Sequence, residues 1–374
     1  MRILFVNSAT GPGGGITSAL DLATGLAGAG HSVTAVCHPE SGICRALQAD
    51  PRIDVAPIPI RAELNLWRAV QLRHVLRRVR PDVILADKRK DVKLAFQARG
   101  RAKAPAIVHR HGAPSPLRDG AVYRFVWRRI QTMIVNSDAM KQELLRRTPW
   151  ISAVPIHVIH NGKDLARYRP LPGARGPMRA SLGIAADAYV ACFHGVLQRR
   201  KRVEDLLRAA AQLAGRLEVH VLIAGDGPDE AELRGLAQRL GVSATFAGKR
   251  ADVPELLAAA DVSVHLSEAE GFSNSVVEAL ACGLPVIASR AHSHPEQVAD
   301  GQTGRLVPPG DLAALTDALV EFAEPGRRRL AGTHARRTAE AAFGLDRMVA
   351  AYAEVLRGAA GPPADRGAPG RPPG

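Results

Sequence analysis

The segment VSVHLSEAEGFSNSVVEALACGLPVIAS, residues 262–289, carries the reading from which the rest of the chain follows. VSVHLS (262–267) is an apolar run of strand length, and a polar turn comes next. Residues 274–282 have helical apolar spacing, and PVIAS (285–289) is a second strand-like run. Strand, helix, strand is the repeating unit of a parallel sheet. Glu270 and Glu278 stand seven residues apart, E-x7-E, and Gly271-Phe272-Ser273-Asn274-Ser275 forms a small polar turn between them. Asn274 or Ser275 suits a helix N-cap. The amides at 273–276 then point out of a helix N-terminus, an arrangement that suits a diphosphate. Two carboxylates beside an anion need partners of their own, and sugar or ribose hydroxyls donate well to carboxylates.

Working outward, the same alternation recurs. YVACFHG (189–195), a helix over 202–214, VHVLIAG (219–225), a helix over 229–240, ATFAG (244–248) and a short helix over 252–260 precede the segment. The N-terminal half shows a first series: ILFVN (3–7), a Gly-rich loop, a helix over roughly 16–29, SVTAVC (32–37), DVILA (82–86), AIVHR (106–110), MIVNS (133–137) and VPIHVIH (154–160). The pattern restarts after NGKD (161–164), across a linker-like stretch, YRPLPGARGP. Short apolar runs separated by helices imply two doubly wound α/β domains facing a cleft. The expected limits are 1–165 and 180–340, then a helix over 341–358 and a Pro/Gly-rich disordered tail over 359–374. In such sheets ligands sit beyond the carboxyl ends of the strands.

The length of 374 residues, with 46% hydrophobic and 23% charged positions, fits two or three globular domains. No apolar run is long enough to cross a membrane. MRILFVNS reads as a first strand, not a signal peptide. The four cysteines, Cys37, Cys44, Cys192 and Cys282, are scattered with no CxxC, which argues against a zinc site or a disulfide framework and for a reducing cytoplasm.

Charge is unevenly placed. The net charge is +14, yet residues 1–165 hold 25 Lys+Arg against 12 Asp+Glu, and residues 166–374 hold 25 against 24. The first half therefore expects an anionic partner. Single-strand nucleic-acid binders interleave aromatic platforms with their basic groups; here aromatics are 4% of the chain. No nucleic-acid-binding signature is visible. An anionic membrane surface fits better. In QLRHVLRRVR (71–80), Leu72, Val75, Leu76 and Val79 share a helical face opposite Arg73, Arg77 and Arg80, a pattern that equally suits a surface helix packed by its apolar side.

Three further clusters carry chemistry. SATGPGGGITSAL (8–20) places glycines before a helix and suits an anion, although Ile16 occupies the third glycine position of the dinucleotide fingerprint. That departure disfavours a nicotinamide-dependent dehydrogenase. GVLQRRKRVEDLL (195–207) sets Arg199, Arg200, Lys201 and Arg202 where a helix opens, opposing its dipole unless an anion sits there. VHRHG (108–112) alternates His109 and His111 around Arg110, with His111 the better placed to meet a substrate.

Together these pieces resemble the family 4 glycosyltransferases of the GT-B fold over about residues 1–358. AGDGPDEAEL, TFAGKRADVPELLAAADVSVHLS, EGFSNSVVEALACGLPVIAS and PEQVADGQTGRLVPPGD stand in that family's order. The resemblance implies retaining transfer of a sugar from a nucleoside-diphosphate sugar to an acceptor hydroxyl, with no metal and no cofactor besides the donor. It gives catalytic roles to Glu270, Lys201 and His111, and places Glu278 on the ribose. It sets Lys201 and the amides of Phe272, Ser273, Asn274, Ser275 and Val276 on the diphosphate. Lys249 and Arg250 would line the base, and Gly14 and Gly15 would let the first domain close over the phosphates. One departure stands out: Val196 occupies the usual arginine position, and Arg199 or Arg200 is the expected substitute. The basic first half points to a lipid-linked or phosphorylated acceptor, to cell-envelope or exported-polysaccharide synthesis, and to the inner face of the membrane. The alternatives are a nucleotide-sugar isomerase of the same fold and a non-enzymatic basic binding protein.

Overall fold

The apolar runs of the first half become strands of one parallel sheet. In the computed structural model, which describes residues 1–11, 13–61, 65–100, 104–112 and 117–361, they are β1 (Arg2–Asn7), β2 (Ser32–Cys37), β3 (Ile53–Pro57), β4 (Val83–Ala86), β5 (Ala106–His111), β6 (Thr132–Val135) and β7 (Ile156–Val158). Their order is β3-β2-β1-β4-β5-β6-β7, all parallel. The connecting helices are α1 (Gly14–Gly28), α2 (Gly42–Gln48), α3 (Leu66–Val79), α4 (Arg89–Arg99), α5 (Ala121–Trp127) and α6 (Asp138–Arg147). The order reverses beside β1. Right-handed crossovers therefore put α1 and α2 on one face and α3, α4 and α5 on the other. The first helix starts at Gly14, two residues before its expected start, so Gly14 and Gly15 belong to its first turn. Helix α3 packs Ala69, Leu72 and Leu76 inward, leaving its arginines outside.

A second parallel sheet follows, from β8 (Tyr189–His194), β9 (Val219–Ala224), β10 (Ala244–Gly248), β11 (Val262–His265), β12 (Val286–Ser289) and β13 (Gly304–Val307), in the order β10-β9-β8-β11-β12-β13. Its helices are α7 (Arg175–Ser181), α8 (Val203–Leu213), α9 (Glu230–Leu240), α10 (Val253–Ala258), α11 (Asn274–Ala281), α12 (His294–Gln297), α13 (Leu312–Ala323) and α14 (Pro325–Ala342); the last helix, α15 (Leu345–Ala360), belongs from Val349 on to the unit of the first sheet. Strand alternation divides the core. Val190 and Cys192 point into one cluster with Leu256, Val276 and Ala335. Ala191 and Phe193 point into another with Leu206, Leu233 and Leu319. Helices α10, α11 and α14 thus cover one face, and α8, α9 and α13 the other.

The two compact units are not simple halves. One holds residues 1–135, 144–159 and the chain from Val349 on; the other holds 136–143 and 160–348. The linker-like stretch before β8 is structured. Arg175 and Arg179 both bind the Asp261 carboxylate (2.8 and 2.9 Å), and Arg179 also donates to the Ala259 carbonyl (2.9 Å), which pins α7 in place. The helix expected over 341–358 runs Leu345–Ala360, so Ala359 and Ala360 are helical and not tail. Residues 362–374 of the expected tail lie outside the described residues, as does Pro12 of the Gly-rich loop.

Candidate active site

Glu278 sits on the second turn of α11 and is 7% exposed. Its carboxylate lies 2.9 Å from Lys163 Nζ and 3.3 Å from His194 Nε2. Burial alone would raise its pKa, but Lys163 and His194 pull it down to about 2. The group is a fixed anion. Lys163 is itself held by its backbone: its N–H donates to the Phe343 carbonyl (2.8 Å) and its carbonyl accepts from Leu345 (2.9 Å). His194 ends β8, and its ring meets that of His265, which ends β11, at 5.2 Å between centroids. The Nδ1 atom of His194 is buried and makes no hydrogen bond among the described residues.

A second cluster forms around Glu270. Its carboxylate accepts from Lys201 Nζ and from Ser267 Oγ (3.1 Å), with Arg200 Nη1 at 3.4 Å. Burial, and then Arg200, draws the Lys201 pKa down to about 7, while the Glu270 carboxylate beside it favours the charged form. Arg200 also donates to the Ala269 carbonyl (3.0 Å), so it is the arginine at the Glu270 turn. Arg199 is exposed and forms no ion pair among the described residues. Arg202 caps α8 in a left-handed conformation (φ 52°) and is neutralised by Asp205 and Glu268 at 2.6 and 2.7 Å. The four-cation run is therefore largely balanced from within.

The turn before α11 differs in part from expectation. Ser273 N–H donates to Gln297 Oε1 (3.2 Å), and Gln297 returns a bond to the Ser273 carbonyl (2.8 Å). That amide is engaged by the Gln297 side chain. The Phe272 ring is buried, stacked on His160 at 5.1 Å and edge-on to Phe343 at 5.8 Å. Asn274 Oδ1 accepts from Asn161 (3.1 Å). Ser275 and the core residue Val276 carry first-turn amides with no acceptor inside the helix. Ser275 Oγ lies 3.7 Å from where a Cβ on Gly195 would be. A Cβ on Gly225 would overlap the Gly195 carbonyl oxygen, so two strand ends approach backbone to backbone beside the site. Lys249 is exposed, and Arg250 is paired with Asp252, Nε to Oδ1 2.8 Å.

In the first unit the polar groups again gather where β1, β4 and β5 end. Asp87 accepts from Asn7 Nδ2 (3.1 Å), Lys88 Nζ (3.1 Å) and Arg110 Nη1, and Arg110 also reaches Ser18 and Tyr352. His109 points away from Arg110, accepts from Trp127 Nε1 (3.2 Å) and is kept neutral by burial. His111 lies beside it, with ring centroids 5.3 Å apart, and is 5% exposed. Asp91 is pushed up to about 7 by burial. Gly14 and Gly15 open α1, and a Cβ on Gly15 would meet nothing within 4 Å.

The sequence reading missed Lys163, His194 and Glu296. The first two were in view, in NGKD and YVACFHG, at strand ends where ligands bind, but neither has a motif of its own. Glu296 accepts the amides of Asp138 and Ala139 (both 2.8 Å) and meets His160 Nε2 at 3.1 Å. Its two oxygens cap α6, and Asp138, His160 and Glu296 bring their side-chain ligand atoms within 4.8 Å of one another.

Residues 188–324 match the family described as glycosyl transferases group 1, and residues 12–167 match Glycosyltransferase Family 4. Each half of the chain thus matches a glycosyltransferase family model. The chain is 36% identical over 249 residues to a D-inositol 3-phosphate glycosyltransferase of Streptomyces bingchenggensis, covering 60% of its own length and 53% of the relative's. It is 29% identical over 181 residues to N-acetyl-alpha-D-glucosaminyl L-malate synthase of Bacillus anthracis, 48% of each chain. It thus spans about half the length of the curated relatives it matches. Among solved structures it resembles HepE of Anabaena in complex with UDP and glucose, with a TM-score of 0.81 and 25% identity over 95% of this chain and 99% of that one. The fold is GT-B, two Rossmann-like units.

Proposed function

We propose that the chain moves a sugar from a nucleoside-diphosphate sugar to an acceptor hydroxyl, with retention of configuration. The observation that carries this reading is Glu278, a buried carboxylate kept ionised beside the N-terminus of α11. It accepts the ribose hydroxyls, which share its oxygens with Lys163 and His194. Arg200, Lys201 and the amides of Ser275 and Val276 face the diphosphate, with Asn274 beside them. Glu270 turns from Lys201 to the donor sugar. Lys249 and Arg250 stand near the base.

As the glycosyl–oxygen bond breaks, negative charge grows on the departing β-phosphate. Lys201 and the helix amides stabilise it, a term worth roughly 10²–10³ in rate per donor removed. In this reading these groups do the work a metal does elsewhere. The acceptor hydroxyl attacks the anomeric carbon from the leaving-group face, and its proton passes to the departing phosphate oxygen. HepE was solved with UDP-glucose, which makes UDP-hexoses the first donors to test. Two relatives are named for inositol phosphate and malate. Both are anionic, as the basic first unit of this chain would favour, so the acceptor proposed here is anionic and belongs to cell-envelope polysaccharide or glycolipid synthesis. A nucleotide-sugar panel scored by thermal shift tests the reading. Stabilisation by one nucleotide sugar, lost in Glu278→Ala, supports it; no stabilisation by any member refutes it.

A further inference from the structure

We propose that the outer surface of the α3–α4–α5 layer is a docking face for an anionic lipid bilayer. Seven large hydrophobic residues are conspicuously exposed among the described residues, and five of them lie on α3 and α5: Leu66 (81%), Trp67 (70%), Val70 (45%), Val122 (59%) and Phe125 (49%). Contiguous exposed apolar surface marks an interaction site, and these residues lie on the two helices that flank α4.

Their arrangement is amphipathic in an unusual sense. The inward side of α3 is already filled by Ala69, Leu72 and Leu76, so the apolar side suggested by the sequence packs on the sheet. The solvent side carries Leu66, Val70, Arg73 and Arg77 in one stripe at i, i+4, i+7 and i+11, with Trp67 next to it. On α5, Tyr123, Val126 and Trp127 point inward, while Val122 and Phe125 face outward, with exposed Arg129 just beyond the helix end. Helix α4 joins the two: Arg73 donates to the Gln97 and Ala98 carbonyls (both 3.1 Å), and Phe96 meets Phe125 edge-on at 5.8 Å. The Arg129 guanidinium lies 3.6 Å from the Phe125 ring centre. Arg77 and Arg128 are exposed and form no ion pair among the described residues.

Exposed tryptophan and phenylalanine interleaved with arginine match the interface of an anionic bilayer, where the rings enter the headgroup region and the cations meet lipid phosphates. Leu66, Trp67 and Val122 all lie in first helical turns. Helices in this unit run against their strands, so these residues stand toward the carboxyl ends of the sheet, the end that holds Asp87 and His111. The face lies outside the donor cluster and does not depend on the transfer reaction.

The test is flotation of the full chain with phosphatidylcholine vesicles, with and without phosphatidylglycerol. The chain should float only with phosphatidylglycerol present. A Trp67→Ser, Phe125→Ser double variant and an Arg77→Glu variant should each lose about tenfold in vesicle affinity, with unchanged thermal midpoints. Leu330→Ser, which removes an exposed leucine from the other unit (51%), should change nothing. Failure to bind phosphatidylglycerol vesicles overturns the proposal. So does full binding by the double variant, or a dimer of the parent chain that the double variant abolishes while vesicle binding is absent. Tight binding to single-stranded RNA that is indifferent to the aromatic changes, with no flotation, assigns the face to another partner and equally overturns it.

Discussion

Lys163 and Glu278 form a buried pair whose members depend on each other. Removing one partner of such a pair leaves an uncompensated charge, so Lys163→Met should cost about 3–5 kcal/mol by chemical denaturation. The effect has a pH signature. Glu278 titrates at about 2 when folded against an ordinary 4.5, so it contributes stability above pH 4.5 that is lost as pH falls toward 2. Lys163→Met should lose that acid dependence, which denaturation at several acidic pH values measures. Asp91 runs the opposite way. Its folded pKa is about 7 against an ordinary 3.8. Between those values the folded chain keeps a proton that the unfolded chain releases, so stability falls as pH rises. Asp91→Asn should therefore raise the thermal midpoint above pH 7 relative to the parent and have little effect below pH 3.8. A uniform shift across pH would show that Asp91 is ionised when folded. In turnover, Lys201→Ala should fall roughly 10²-fold while the donor thermal shift persists.

At the scale of elements, the βαβ unit around α11 was readable because strand, turn and helix each leave a local mark. Its E-x7-E spacing put Glu278 one turn beyond the helix start from sequence alone. The partners of Glu278 were not readable: Lys163 lies 115 positions away, and only the tertiary fold brings it to the carboxylate. Ser273 shows the same limit, since its amide looked free until Gln297, 24 residues later, proved to hold it. The linker-like stretch misled for a related reason. Pro and Gly suggested an open connector, but Asp261 gathers Arg175 and Arg179 and folds it. The close approach at the ends of β8 and β9 gives another expected outcome. Gly225→Ala would drive a methyl group into the Gly195 carbonyl, whereas Gly241→Ala, also at positive φ, meets nothing within 4 Å. Denaturation should show Gly225→Ala as the more damaging of the two.

Across the whole molecule, one residue does two jobs in the second unit. The backbone of Lys163 is laced to Phe343 and Leu345, Gly162 N–H reaches Met348 Sδ at 3.2 Å, and a Cβ on Gly162 would collide with Gly344. The side chain of the same lysine keeps Glu278 charged. Trimming the polypeptide just ahead of Phe343 would therefore reach well past the missing helix: the lysine would lose its mooring, and the carboxylate its counterion. A proteolytic nick near that seam would be felt as a slackened hold on nucleotide long before the second sheet came apart.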